Sequence, residues 1–545
     1  VKFLSAVFVT ALVLAGCKPE DTSGPQANGG GSGSGPIEQI LKITNGTEPE
    51  NLDPHVVTGV PEHHIINALT EGLVAEHPET LEALPGTAER WEKSEDLKQW
   101  TFHLRTNAMW TTGDPVTAQD FVASFERILN PELASKYSYM LFVMKNAQTY
   151  NEGKLNDFSQ VGAKAVDDHT LEITLKDPTP YFLGLLNHYT WFPVHMPTVE
   201  KFGKKYSREN TWTKPGNFVS NGAFKLKEWV TNEKLVVEKS PTYWDRENVK
   251  ADEIHFLPIV SSETQEKLFR AGQAHNAYQL PPDKIPVYQK KNPELLKITP
   301  LLSSYFYRFN TTKGPIADKR VRKALSMAID RQAIVEHVTQ AGQMPATFFT
   351  PPNTAGYTTT AGFKEDIPAA KKLLAEAGFP EGKGFPKVEL LYNTDEAHRS
   401  VAEAIQEMWR KNLGVNVSLV NQEWKVYLDS QRQLNYYISR AGWNGDYVDP
   451  NTFLDMWTSW SQQNQTGWSN DKYDELIKAA GMTGDMEKRM KLFDQAEHIL
   501  MDELPVMPIY IYTRPYLLDP KVKGWYGNIL DHHPWKHVYL SDGEN

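Results

Sequence analysis

The stretch Ser439–Pro450 reads SRAGWNGDYVDP. It sets a guanidinium, Arg440, six positions before a carboxylate, Asp446, around a Gly442-Trp443 pair read as a turn. The residues before it, Tyr436, Tyr437 and Ile438, are aromatic or β-branched and predict a strand running inward. Two opposite fixed charges beside an aromatic wall suit a ligand with a positive head and a negative tail, as in a peptide zwitterion. The residues alone equally allow Asp446 to be a turn aspartate bonded to its own backbone. They also allow Arg440 to be half of a buried structural ion pair.

Around this stretch, helices and strands alternate. Strands are predicted at Lys387–Tyr392 and Val415–Leu419. Helices are predicted at Lys319–Ile329, Ala369–Ala377 (closed by Gly378), Ser400–Lys411 (closed near Gly414) and Glu487–Met501. Residues 303–513 therefore read as an α/β region. Nearer the N-terminus, short strands are expected at Ile40–Thr44, Trp100–Leu104, Thr170–Leu175, Leu235–Glu238 and Glu253–Leu257. Thr117 stands three residues before Asp120, the spacing of a capping box opening a helix at Ala118–Leu129. No repeat with a period of roughly 20–50 residues is present.

At 545 residues the chain exceeds one hydrophobic core and predicts two or three domains. Its 57 basic and 68 acidic residues leave a net charge of −11, which argues against a nucleic-acid binder. Lys2 precedes an apolar run, Phe3–Leu14, ending in Leu14-Ala15-Gly16-Cys17. A short basic start, an apolar stretch and small residues before a cleavage point predict an export signal. The run is shorter than the roughly 20 residues of a spanning helix. The tetrapeptide resembles a bacterial lipobox, so Cys17, the sole cysteine, is expected to carry lipid and become the mature N-terminus. An alternative start codon is expected at Val1. Residues 18–36, KPEDTSGPQANGGGSGSGP, predict a flexible tether. An anchored protein working outside the cytoplasmic membrane, in the periplasm or at the cell surface, follows.

Several segments in a shared order resemble the oligopeptide-binding proteins of bacterial ABC importers, within family 5 (the peptide/nickel-binding class) of the extracytoplasmic solute-binding proteins. They are NGTEPENLDPH (45–55), WTFHLRTNAMWTTGDPVTAQDF (100–121), VSNGAFKLKEW (219–229), DKRVRKALSMAIDR (318–331), LLYNTDEAH (390–398), KNLGVNVSLVNQEWK (411–425) and RAGWNGDY (440–447). NQEWK and RAGW favour the oligopeptide-binding members over the dipeptide- and nickel-binding ones. The resemblance implies a large α/β, periplasmic-binding-protein-like bilobed fold with an additional third domain. Domain I is expected at 37–60, 199–302 and 514–545, domain II at 61–198, and domain III at 303–513. A peptide would lie between domains I and III, enclosed by a hinge motion. The partners implied are short peptides and an inner-membrane permease. A monomer without cofactor or catalytic residues is expected.

The resemblance makes Asp446 the acceptor for a peptide α-ammonium and Arg440 the residue facing a ligand carboxylate, with Asp449 a structural turn residue. His398 matches a position near the C-terminus of some peptide lengths, although a lone histidine there also suits a satisfied structural role. Trp424, Trp443 and Tyr512 match pocket-lining aromatics, which offer apolar area to varied side chains. Glu48 matches a position near the peptide backbone. Gly442 would allow close approach of a ligand strand. Phe306 and Arg308, in YFYRFN, match further pocket positions. Two departures stand out. Thr339 replaces a family lysine for the carboxylate of longer peptides, and Arg308 replaces a pocket glutamate, which predicts preference for acidic over basic side chains nearby.

An extracytoplasmic hydrolase is the rival from another class. The sequence has neither a G-x-S-x-G elbow nor an H-E-x-x-H helix. GFPEGKG at 378–384 lacks phosphate-loop spacing. The pairs His63-His64 and His532-His533 are poorly placed to chelate, since adjacent side chains diverge, and are expected at the surface. Within the family, a binder of murein or signalling peptides is the alternative.

Overall fold

The computed structural model describes residues 38–541. The export signal, Cys17 and the tether at 18–36 lie outside the described residues. Three sheets organise the rest. In the first, Ile40–Thr44 runs parallel to Glu253–Leu257, which pairs antiparallel with Lys234–Lys239, itself paired with Phe224–Val230. Alternation sets its inward face: Leu41 and Ile43 pack with Ile254 and Phe256, all 2% exposed or less.

A second four-stranded sheet, with Ala88–Lys93, Gln99–Leu104, Thr170–Thr174 and Ala163–Asp167 in that order, carries the helix Ala118–Leu129. The Asp120 carboxylate accepts from the Thr117 N–H at 2.8 Å, as the capping pattern predicts. Phe121, Phe125 and Ile128 form the buried face, and Arg127 shares their burial. Its guanidinium donates to both oxygens of Asp53, at 2.9 and 2.6 Å, while Trp212 Nε1 donates to Asp53 Oδ2 at 3.1 Å. Burial pushes the Asp53 carboxyl up, but Arg127 more than offsets it and holds the pKa down to about 2. This pair fastens the N-terminal NGTEPENLDPH segment to the helix.

The third sheet positions the site. Its order is Asn276–Ala277, Val506–Leu518, Leu296–Phe309, Ile438–Asn444, Val388–Asn393 and Val417–Gln422, with Met344–Pro345 added to Val506–Leu518. The last two are parallel and joined through the helix Glu396–Leu413, a βαβ crossover. Asp395 caps that helix by accepting from the His398 N–H at 2.9 Å, so it starts four residues before the expected Ser400. Gly414, at φ 70°, ends it as predicted.

The expected turn at Gly442-Trp443 is not formed. The strand continues from Ile438 to Asn444, in unbroken antiparallel register from Phe309↔Ile438 to Ser303↔Asn444. A partnered backbone outweighs the local turn signal of Asn, Gly and Asp, and the chain leaves the sheet only at Gly445. Two central strands, Leu296–Phe309 and Val506–Leu518, are 14 and 13 residues long, and their pairing shifts register between Pro300 and Ser304.

Candidate functional site

Ile438–Asn444 pairs with Val388–Asn393 only at Ile438 and Ser439. From Arg440 to Asn444 it is paired with another strand along one side alone; the Arg440 carbonyl accepts from the Tyr427 hydroxyl and from Gln431 Nε2 at 3.0 Å, and the strand edge beyond it is free. A cavity of about 580 Å³ lies along that edge, lined by every residue from Arg440 to Asp446. Opposed residues share a face of a sheet. Arg440, Gly442 and Asn444 therefore lie on one face with Tyr305 and Tyr307. Ala441 and Trp443 lie on the other with Phe306 and Arg308.

Arg440 is 8% exposed. One amino group donates to Asn393 Oδ1 at 3.2 Å and the other to the Tyr512 hydroxyl, while the guanidinium stacks 4.8 Å from the Tyr305 ring centre. Among the described residues it forms no ion pair, so the structural pairing with Asp446 is not made. Asp446 lies at most about 20 Å along the chain from Arg440, at ~3.3 Å per residue. Its carboxylate meets neutral donors: the Tyr137 hydroxyl and Thr452 Oγ1, each at 3.4 Å. His188 Nε2 is 3.5 Å away. Burial raises the Asp446 pKa to about 7. Asp449 is the structural aspartate, held by both amino groups of buried Arg489 at 2.6 and 2.8 Å.

The other expected residues divide clearly. Trp424 lines the cavity and stacks on Tyr427 at 5.6 Å. Trp443 lines it too, its Nε1 tied to the Thr452 carbonyl at 2.7 Å. Gly442 is exposed to the cavity, and a Cβ there would sit 3.2 Å from Arg440 Nη2 and 3.3 Å from the Tyr512 hydroxyl. His398 lines the cavity with its Nδ1 3.5 Å from Asp395 Oδ1, and burial and the Arg440 charge keep it neutral. Glu48 lies in the wall, accepting from Trp229 Nε1 at 2.8 Å and the Asn232 N–H at 2.9 Å. Thr339 lines the cavity too, its hydroxyl bonded to Gln343 at 2.8 Å.

Phe306 is a correction. It is fully buried, packed edge-to-face with Phe349 and Trp457, and does not reach the cavity. Arg308, two residues on and over the same face, does. A second correction concerns the histidine pairs, which are buried at 7–8% exposure rather than on the surface. His63 stacks on His532 at 4.5 Å, His532 Nδ1 contacts Glu76 Oε2 at 2.6 Å, and His64 Nδ1 contacts Asn45 Oδ1 at 2.9 Å. His63 Nε2 contacts Asn67 Nδ2 at 2.8 Å and His533 Nε2 contacts Asp531 Oδ1 at 3.1 Å, so each diverging ring finds a polar partner below the surface. Among the described residues no group of three or more His, Cys, Asp or Glu side chains is arranged to hold a metal ion.

Sequence reasoning missed Tyr137 and His188 beside Asp446. It also missed Arg514, which lines the cavity already paired to Asp531 at 3.0 Å. These come from segments far apart in the chain, with no local motif to mark them.

A cavity along a free strand edge, with Arg440 and Asp446 both in its wall, suits an extended ligand. The profile of bacterial extracellular solute-binding proteins, family 5 (middle region), matches residues 82–465, and the chain belongs to that family. It is 41% identical over 517 residues to the periplasmic oligopeptide-binding protein OppA of Salmonella typhimurium, covering 92% of this chain and 93% of that protein. The solved structure of the Escherichia coli murein tripeptide-binding protein MppA superposes with a TM-score of 0.88 at 40% identity, over 92% of this chain and 98% of that one. This establishes the expected α/β, periplasmic-binding-protein-like fold. Against the unliganded open form of MppA the TM-score is 0.62, over 92% and 97% of the two chains at the same 40% identity. The arrangement described here thus differs from that open form. Among the described residues no helix is long and apolar enough to cross a membrane.

Proposed function

We propose that this protein is the substrate-binding component of an ABC-type oligopeptide importer, enclosing short peptides and delivering them to a membrane permease. The observation that carries it is the strand Arg440–Asn444. Its open edge lies between buried Arg440, which makes no ion pair among the described residues, and Asp446, which is met by the Tyr137 hydroxyl, Thr452 and the neutral ring of His188. An extended peptide adding to that edge has its backbone bonded along the strand and its ends placed at complementary charges. The similarity to OppA supports this reading. The protein acts by binding and returns its ligand intact.

The domain division drawn from the sequence accompanies the proposal. Both long strands cross its boundaries, Leu296–Phe309 at 302/303 and Val506–Leu518 at 513/514. The register shift at Pro300–Ser304 gives this pair a place to flex, and peptide contacts to both lobes would favour closure. Working outside the cytoplasm as a monomer, held by lipid on Cys17, completes the reading. Similarity to MppA supports murein peptides as a second ligand class.

Mass spectrometry of small molecules that co-purify under native conditions, followed by calorimetry with those molecules, tests the proposal. Peptides of two to five residues are expected. Recovery of a non-peptide ligand, together with no heat of binding for any short peptide, would overturn it.

A further inference from the structure

Resting on the peptide-binding reading, we infer that Arg308 forms a second anion site, which selects peptides carrying an acidic side chain at one defined position. Arg308 is 5% exposed and lines the cavity. Its amino groups donate to three neutral oxygens: Gln431 Oε1 and Gln465 Oε1, each at 3.0 Å, and the Gln463 carbonyl at 3.1 Å. Its Nε–H is buried without a partner. Among the described residues it forms no ion pair. Glutamines satisfy donors without neutralising charge, so a buried cation remains that a carboxylate can complete.

Arg308 lies opposite Ser439, one residue from Arg440, so the two guanidiniums stand at nearly the same level along the sheet. They lie on opposite faces of it. Burial and the Arg440 charge both weigh against the Arg308 cation, and among the described residues neither arginine makes an ion pair. A ligand strand added to the free edge sends successive side chains to alternate faces. One ligand position therefore presents its carboxylate to Arg440, while a neighbouring position projects toward Arg308 and the glutamines. A peptide with a single carboxylate neutralises one of these arginines. A peptide with an additional acidic side chain neutralises both. A lysine side chain at that position would add a third positive charge.

The test is calorimetry on the full-length protein with trialanine variants bearing Glu, Gln or Lys at position 1, 2 or 3. Glu is expected to bind about tenfold or more tighter than its isostere Gln at one position only, with Lys weakest there. R308Q should abolish the Glu-over-Gln ratio at that position, and R308E should reverse the Glu–Lys order. Equal affinities for Glu and Gln at all three positions, or tighter binding of Lys, overturn the inference while leaving peptide binding intact. Absence of binding by every tripeptide overturns the underlying peptide reading instead. The wild-type Glu–Gln comparison decides the matter even if the Arg308 variants do not fold.

Discussion

The Arg440 guanidinium donates to the Tyr512 hydroxyl across the central sheet, and no carboxylate joins them. A neutral phenol orients the cation without quenching it, so its charge remains for a ligand. Arg440→Met removes that charge at similar length. It should weaken tripeptide binding about ten- to a hundredfold, as expected for one charge-assisted hydrogen bond, with little loss of fold. Calorimetry on a variant with unchanged circular dichroism checks this.

Asp446 links affinity to pH. With its pKa raised to about 7 by burial, the empty site is substantially protonated below neutrality, and a peptide ammonium must displace that proton. Affinity should fall by up to about tenfold per pH unit below 7. It should also decline above about 8, as the α-amino group deprotonates. Titrations from pH 5 to 9 should give a maximum between 7 and 8, and D446N should flatten the acid limb.

The same residue sets function against stability. A carboxyl raised in the folded state adds stability below its unfolded pKa, about 4. That stability is lost as pH rises through 7. Without ligand, D446N should therefore raise the melting temperature at pH 8 but not at pH 4, while weakening peptide binding.

The Asp53–Arg127 pair carries the opposite sign. A pKa lowered to about 2 supplies stability above the unfolded value, which is lost as pH falls through 2. Arg127→Met leaves Asp53 buried without its cation, and destabilisation of about 3–5 kcal/mol is expected by urea unfolding at pH 7.

Gly442 tests the free edge itself. Its backbone is not in the left-handed region and admits a side chain, whose Cβ would press on Arg440 Nη2 at 3.2 Å and the Tyr512 hydroxyl at 3.3 Å. Gly442→Val places methyl groups among Arg440, Tyr512 and the ligand path. Peptide affinity should fall at least about tenfold by calorimetry while the melting temperature moves by only a few degrees.

Much of the fold was legible because the relevant signals are local. The alternation of Glu253–Leu257, the Thr117/Asp120 cap and Gly414 each act within a few residues. Arg440, Gly442, Trp443 and Asp446, read together from one short stretch, do line one cavity, because they lie on or just past the end of a single strand. The turn expected at Gly442-Trp443 failed because pairing with Ser303–Phe309 is set by residues more than a hundred positions away. Phe306 was misplaced because period-two alternation assigns a face but not depth: Phe306 and Arg308 share a side, yet Phe349 and Trp457 cover only the first. Burial of the histidine pairs depended on Glu76 and Asn45, which no spacing rule connects to them.

If Arg440 and Asp446 hold the two ends of one peptide, ligands with blocked ends should bind poorly. Calorimetry at pH 7.5 would compare trialanine with its N-acetyl, C-amide and doubly blocked forms. Each single block should weaken binding by about tenfold or more, and the double block by more than either. A doubly blocked peptide that binds as tightly as trialanine would show that neither Arg440 nor Asp446 anchors a peptide end.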